Sequence, residues 1–404
     1  MATTAVKFAV AAICVTGLVF LRKRKLQRLH ARIIYHRDKD LGSRFGMDVG
    51  GTLGKLVYFE REGDADATNP DAPDLGDVHS YLVDTEYYGK SVERDSRMML
   101  NVPGGGRIHF LRFETNKVEY VVEFVLHRCF HRDIRTMACT GGGAFKFSKL
   151  FEDHLGISLQ KCDELDCLIR GMVFVMRHVA DECYTFKNVS LHSQGIGEAT
   201  KQIMSTPQSE LYPFLLVNIG SGVSILKVTS ETEYHRVSGT SLGGGTFLGL
   251  CKLLSKYKSF DEALEGSMQG NSQSVDMTVG DIYGGNYTQF NLPATTLASS
   301  FGKMGTKHEP KSGLRDEDVA RSLLIMITTN IGQVAYLSAL RSQTQRIYFC
   351  GNFLRQNEIA SRQLAYAIDY WSKSKMQAQF FHHEGFFGAL GALLTHHKEL
   401  HIQL

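Results

Sequence analysis

The chain has eight cysteines and no C-x-x-C pair among them. Cys139 and Cys350 sit inside apolar runs, the pattern of buried thiols in a reducing compartment rather than a disulfide frame. Cys162 and Cys167 have no second pair that would complete a zinc site. Charge of one sign is also scarce, with a net +3 over 404 residues. Even that excess is local: residues 1–37 contain no Asp or Glu but carry Lys7, Arg22, Lys23, Arg24, Lys25, Arg28, Arg32 and Arg37. The remainder is mildly acidic and shows no polyanion-binding face, so nucleic acid is set aside as a partner. A G-x-x-x-x-G-K-[ST] loop is missing, D-F-G is missing too, and neither H-R-D tripeptide (36–38 and 131–133) is followed by the asparagine of a kinase catalytic loop, which sets P-loop and protein-kinase readings aside. Apolar residues at 43% and charged residues at 22% are an ordinary globular balance. At roughly 100–200 residues per domain, the length suggests two lobes.

Residues 8–21 form an apolar run softened only by Thr16 and Gly17, followed at once by the basic cluster 22–25. A bilayer span needs about 20 apolar residues, so this run is short unless it recruits residues 2–6 and Lys7 snorkels. A cleaved secretory signal is disfavoured, because the strongest charge follows the apolar run. The acid-free composition suits a mitochondrial presequence. A short signal anchor, with its basic cluster on the cytosolic side, suits the run better. We therefore expect 1–40 to be a membrane-anchor or targeting segment on a body facing the cytosol, a mitochondrial location being the alternative.

What the chain does carry is an internal repeat. Residues 45–57, F-G-M-D-V-G-G-T-L-G-K-L-V, read as strand, glycine turn, strand, and 216–228, L-V-N-I-G-S-G-V-S-I-L-K-V, repeat the layout. Placing Asp48 on Asn218 without a gap matches Val49 with Ile219, Gly50 with Gly220, Gly51 with Ser221 and Leu56 with Leu226. Each copy ends a buried strand in a polar side chain and turns on small residues, which lets bare backbone N–H groups approach an anion. One glycine hairpin usually only turns a chain; two matched copies a domain apart point to phosphate. Each copy is followed by a strand, tight turn and helix, at 137–144 (M-A-C-T-G-G-G-A) and 347–354 (I-Y-F-C-G-N-F-L). Ligands of open α/β sheets gather outside the carboxyl ends of strands, so these turns would face one crevice. Gly243, Gly244 and Gly245 lead into an apolar run to Leu254. They read either as an anion cradle at a helix N-terminus or as a plain connector.

This duplicated layout resembles the superfamily of actin, the heat-shock ATPase domain and the sugar kinases. The resemblance implies an α/β fold, a duplicated two-lobe actin-like ATPase (ribonuclease H-like) fold with an interlobe nucleotide cleft. The lobes would be 41–210 and 211–398, the second carrying dimerisation elements. It also implies that ATP phosphates lie on Gly50, Gly51, Thr52, Lys55 and Gly220, with Gly351 and Asn352 beside the adenosine.

Longer strings narrow the superfamily. Residues 45–59, 161–168, 217–226, 236–250, 281–285, 298–302, 351–355, 367–372 and 384–393 are similar to eukaryotic-type pantothenate kinases, a resemblance covering about 45–394. It implies transfer of the ATP γ-phosphoryl group to pantothenate with Mg²⁺, the first step of coenzyme A synthesis, by a homodimer inhibited by acetyl-CoA or another acyl-CoA. By position it makes Glu164 the catalytic base. Ser221, Ser224 and Arg236 fall where the family binds the inhibitor and, overlapping it, pantothenate. The segment holding Trp371 would help wall the acyl-CoA pocket, including from the partner subunit. A sugar kinase of the same superfamily and a catalytically inactive CoA sensor are the alternatives.

The residues themselves leave choices open. Asp163, Glu164 and Asp166 form a carboxylate cluster that could hold a general base, or merely favour a helix N-terminus through its dipole. Asp48 suits a metal or its bound water, or an Asx turn cap. Lys55 could reach a phosphate or face solvent. Arg236 offers a fork for a carboxylate or phosphate, or is a surface arginine. Trp371 defaults to core packing, and His382 and His383 read as structural. The polar stretch 60–106 reads as a loose excursion.

Overall fold

Phe45–Val49 and Phe214–Ile219 are nearly continuous buried runs, the pattern of strands covered on both faces, and each becomes the centre of a sheet. The computed structural model describes residues 41–51, 53–60, 99–101, 106–127, 131, 134–189, 191–192, 195–196, 199–204, 210–306 and 313–396. Segment 1–40, Thr52 and most of the polar excursion lie outside the described residues. The chain falls into two compact units, one built chiefly on the described residues up to Glu164 and one on Leu165–Gly391.

In the first unit β1 (Phe45–Val49) pairs antiparallel with β2 (Leu53–Glu60), and β2 with β3 (Arg107–Glu114). After α1 (Val118–His127), β4 (Thr136–Thr140) returns parallel to β1 on its other side. After α2 (Ser148–Leu155), β5 (Ser158–Lys161) lies parallel to β4. Five of the six strands of this sheet run in the order β3–β2–β1–β4–β5, and the short strand Met99–Asn101 lies at the edge beyond β3. Its core gathers Met47, Val49, Phe113, Val122, Met137, Cys139, Phe151 and Leu155. Helix α3 (Glu164–His178) follows.

The second unit repeats the plan. Its elements are β6 (Cys183–Lys187), β7 (Thr200–Met204), β8 (Phe214–Ile219), β9 (Val223–Val228), β10 (Tyr234–Thr240), α4 (Gly244–Leu254), α5 (Phe260–Gln269), α6 (Asp316–Ser342), β11 (Arg346–Cys350), α7 (Glu358–Ser372), β12 (Gln377–Phe381) and α8 (Phe387–His396). Strands β8, β9 and β10 form an antiparallel meander, while β11 and β12 return parallel on the far side of β8. The order β10–β9–β8–β11–β12 therefore matches those five strands of the first sheet one for one and sense for sense. Strands β6 and β7 extend this sheet beyond β12, with β6 antiparallel to it. This is the duplicated α/β, ribonuclease H-like arrangement that the repeat implies.

Helix α6 is long and apolar enough to cross a membrane by length and composition. It instead buries Leu323, Leu324, Ile327, Ile331 and Ala335 in the second core, each large side chain contributing roughly 1.5–3 kcal/mol. Its acidic first turn, Asp316, Glu317 and Asp318, and Arg341 in the last complement the helix dipole.

Strand register revises the ungapped alignment of the two hairpins. Asp48 pairs with Lys55, whereas Asn218 pairs with Ser224, so the second turn is one residue shorter. The Gly50 N–H donates to the carbonyl of Leu53 at 3.0 Å, while the Gly220 N–H donates to that of Gly222 at 2.9 Å. Ser224 thus stands where Lys55 stands. Leu56 corresponds to Ile225, not Leu226.

Candidate functional site

Asp48, next to last in β1, lies between two neighbours, Lys55 on β2 and Thr140 on β4. Lys55 Nζ donates to Asp48 Oδ2 at 3.1 Å, and only 15% and 16% of the two side chains is exposed. Beyond Thr140 the chain turns at Gly141 with φ +81°, where a Cβ would lie 2.7 Å from Asp48 Oδ1 and 2.7 Å from the Val49 carbonyl. A bare glycine lets the Asp48 carboxylate rest against this turn. Thr115 Oγ1 donates to the Gly50 carbonyl at 2.9 Å and pins the hairpin.

Thr140, fully buried, donates through Oγ1 to the Cys162 carbonyl at 3.1 Å, and the Cys162 N–H donates to the Cys139 carbonyl at 2.8 Å. These bonds tie the end of β4 to the segment that delivers Glu164, the first residue of α3. Partial desolvation raises the pKa of the Glu164 carboxyl, the negative charge of Asp48 raises it further, and Lys55 opposes both. The residue as a whole is exposed, yet its carboxyl feels both members of the Asp48–Lys55 pair. Its neighbour Asp166 has another role, accepting a hydrogen bond from the Tyr234 hydroxyl at 2.7 Å on Oδ1. The Cys139 thiol, behind the hairpin, is pushed up to about 12 by burial first and Asp48 second.

The second unit repeats this frame with neutral groups. Cys350 Sγ donates to Asn218 Oδ1 at 3.8 Å. Gly351 has φ +106°, and a Cβ there would strike the Ile219 carbonyl and lie 2.7 Å from Asn218 Oδ1. Gly141 and Gly351 are therefore equivalent, each passing beside the polar side chain that ends the central strand. The Gly351 N–H donates to the Glu384 carbonyl at 3.0 Å, which fixes the turn carrying Asn352.

Gly243, Gly244 and Gly245 open α4 against the β8–β9 turn. The N–H groups of Gly244 and Gly245 donate to the carbonyls of Gly220 and Ser221 at 2.9 and 3.0 Å, so these two donors brace the hairpin. On β10 a bulge opposite Ile225 and Leu226 lets the Arg236 guanidinium fold over Gly239, the register partner of Ser224. Ser224 and Arg236 thus come together, with exposed Ser221 on the adjoining turn. Among the described residues no carboxylate pairs with Arg236.

Trp371 lies away from the Gly351 turn within the second unit. It occupies the last turn of α7, which runs from the carboxyl end of β11 back to the amino end of β12. It is 40% exposed and meets Tyr370 edge-on at 5.2 Å, so core packing does not describe it. Among the described residues no trio of His, Cys, Asp or Glu could hold a metal. A single carboxylate such as Asp48 still suits Mg²⁺, an ion that takes one or two carboxylates and completes its shell with water and substrate phosphates. Sequence reasoning missed Thr115 and Thr140, whose partners lie 65 and 22 residues away, because neither carries a local signal.

Residues 44–395 match the protein family described as Fumble. The chain is 40% identical over 387 residues to Pantothenate kinase 2 of Arabidopsis thaliana, covering 92% of this chain and 41% of that protein. It is 41% identical over 374 residues to Pantothenate kinase 1 of Arabidopsis thaliana, covering 90% and 88%. It is 37% identical over 362 residues to the 4'-phosphopantetheine phosphatase of Mus musculus, covering 89% and 41%. The chain thus spans about two fifths of the length of some curated relatives and most of others. Among solved structures, the activator of 2-hydroxyisocaproyl-CoA dehydratase from Clostridium difficile with bound ADPNP has a TM-score of 0.43 at 13% identity, over 89% of this chain and 96% of that one.

Proposed function

The chain belongs to the Fumble family, and on that premise we propose that it is a pantothenate kinase, transferring the γ-phosphoryl group of ATP to the primary hydroxyl of pantothenate. The observation that carries the reading is Glu164 standing within electrostatic reach of the Asp48–Lys55 pair at a glycine hairpin. Phosphoryl transfer asks a protein mainly for positioning and charge stabilisation. Lys55 and the turn at Gly50, Gly51 and Thr52 hold the phosphates. Asp48 would hold Mg²⁺, which supplies charge neutralisation when bound. The pantothenate hydroxyl oxygen bonds to the γ-phosphorus as the bond to the β–γ bridging oxygen breaks; ADP leaves, and Glu164 takes the hydroxyl proton. A carboxyl whose pKa is raised is a better proton acceptor than an ordinary one.

In the second unit Arg236 offers its fork to the pantothenate carboxylate, with Ser224 and Ser221 as hydroxyl partners. Gly220 and the bracing Gly243–Gly245 segment shape the second hairpin, and Gly351 with Asn352 takes the adenosine side. Acetyl-CoA competing for Ser221, Ser224 and Arg236 would make the enzyme feedback-inhibited. The exposed position of Trp371 supports a homodimer in which it serves the partner's pocket. Segment 1–40 would anchor or target the protein, with the body facing the cytosol or in mitochondria.

A second reading, a catalytically inactive CoA-binding protein, draws support from the mouse 4'-phosphopantetheine phosphatase, a relative named for a different activity, 41% of whose length this chain covers. Purified protein assayed for ADP release with ATP and pantothenate, against hexoses and N-acetylhexosamines, separates the readings. The proposal predicts pantothenate-dependent turnover that Glu164→Gln lowers by about 10²–10⁴-fold while nucleotide binding persists. Acetyl-CoA binding without any pantothenate-dependent ADP release rejects it.

A further inference from the structure

Glu182 precedes β6, and its residue is 2% exposed. Every acceptor it has faces the loop that follows β12. Its main-chain carbonyl accepts the His382 N–H at 3.2 Å, Oε1 accepts the His383 N–H at 3.0 Å, and Oε2 lies 2.6 Å from His383 Nδ1. His383 is itself 4% exposed. The next residue along this loop, Glu384, supplies the carbonyl that accepts the Gly351 N–H. The chain of bonds therefore runs from one buried carboxylate, through a clamped loop, to the positive-φ turn that presents Asn352.

Placing a carboxylate and an imidazole in a core is costly, and an apolar pair of similar volume would serve packing at least as well. What the polar pair adds is direction. A carboxylate that accepts both a backbone N–H and a ring N–H fixes its loop in one register, through hydrogen bonds stronger than neutral ones. We propose that Glu182 is a positioning residue for ATP, acting through His383 and the Glu384 carbonyl to hold the Gly351–Asn352 turn in its nucleotide-binding shape. This rests on the proposed kinase reading for the identity of the nucleotide.

The sheet order supplies a control. Glu182 and its loop lie on the β6–β12–β11 side of β8, while Ser224 and Arg236 lie on the β9–β10 side. A positioning role therefore predicts that ATP and pantothenate are affected unequally, whereas general loosening of the unit would move both.

The test uses the full chain with Glu182→Gln, which keeps the shape but not the charge, and His383→Gln as the milder variant should the first not fold. Calorimetric titration with adenylyl imidodiphosphate and steady-state kinetics are measured together. We expect the dissociation constant for the analogue and the KM for ATP to rise about tenfold, equivalent to ~1.4 kcal/mol, with the KM for pantothenate changed less than about twofold. Unchanged analogue affinity in a folded variant overturns the proposal, and so does an equal rise in both KM values. If wild-type protein binds the analogue but does not phosphorylate pantothenate, the substrate assignment falls, and the analogue titration still decides the role of Glu182.

Discussion

Adjacent glycines at the end of β4 should respond to the same substitution with opposite signs. Gly141 has φ +81°, and a Cβ there would lie 2.7 Å from both Asp48 Oδ1 and the Val49 carbonyl. The positive φ costs an alanine roughly 1–2 kcal/mol. The overlap costs about 1–3 kcal/mol more, because the Val49 carbonyl belongs to a central strand and cannot retreat cheaply. Gly141→Ala is thus expected to destabilise by about 2–5 kcal/mol, a large part of a typical 5–15 kcal/mol. Gly142 has φ −60° and ψ −30°, and a Cβ there would meet nothing within 4 Å. Gly142→Ala should therefore stabilise by about 0.4–1 kcal/mol, chiefly by restricting the unfolded chain. Urea midpoints of the two variants measure this directly. Kinetics add a second readout, since displacing Asp48 should raise the KM for ATP in Gly141→Ala and leave it unchanged in Gly142→Ala. Equal midpoints for the two variants, or a Gly141→Ala midpoint at the wild-type value, would refute the reasoning.

Two further predictions concern titration. If Glu164 acts ionised, kcat/KM falls as pH drops through its raised pKa, so the acid limb lies above the ordinary carboxylate value of 4.5. Asp48→Asn removes a charge that raises this pKa and should lower the limb, while Lys55→Met should raise it; pH–rate profiles of the residual activities that move in the same direction contradict the assignment. Glu384, pushed up to about 8 by burial and then by the charge of Glu182, keeps a proton that the unfolded chain releases near 4.5. Stability should accordingly fall as pH rises across that window, and Glu384→Gln should flatten the dependence; a wild-type urea midpoint that does not fall from about pH 5 to about pH 8 argues against it.

The strand–turn–strand repeat was legible because both halves of its signal are local: an apolar run and the small residues that end it. Its register was not. Small residues at 50–52 and 220–222 look interchangeable, and only the carbonyl that each first glycine selects reveals the shorter second turn. The carboxylate cluster at 163–166 was visible as chemistry, but spacing alone could not rank its members. Separating them takes Tyr234 on Asp166 and the Asp48–Lys55 pair near Glu164, contacts made across the fold. Gly243, Gly244 and Gly245 were read as a cradle or a connector, and neither reading includes the bracing role that the Gly220 and Ser221 carbonyls give them. The Glu182–His383 pair spans 201 residues and leaves no local trace, so His383 read simply as structural.

The two sheets share a backbone plan but not its charges, and the difference has a physical logic. Asp48, Lys55 and Thr140 in the first unit become Asn218, Ser224 and Cys350 in the second. A carboxylate at position 218 would sit against the Gly351 turn with only Ser224 where Lys55 stands in the first copy, leaving a half-buried charge without its cation. The amide keeps the hydrogen-bonding shape of the strand end and avoids that cost. Removing the lysine also opens the surface of β9 beside Gly239, where the Arg236 guanidinium lies over the backbone next to Ser224. One hairpin plan thus carries two charge patterns: in the first copy a paired carboxylate and ammonium, in the second a neutral strand end with a separate guanidinium beside it.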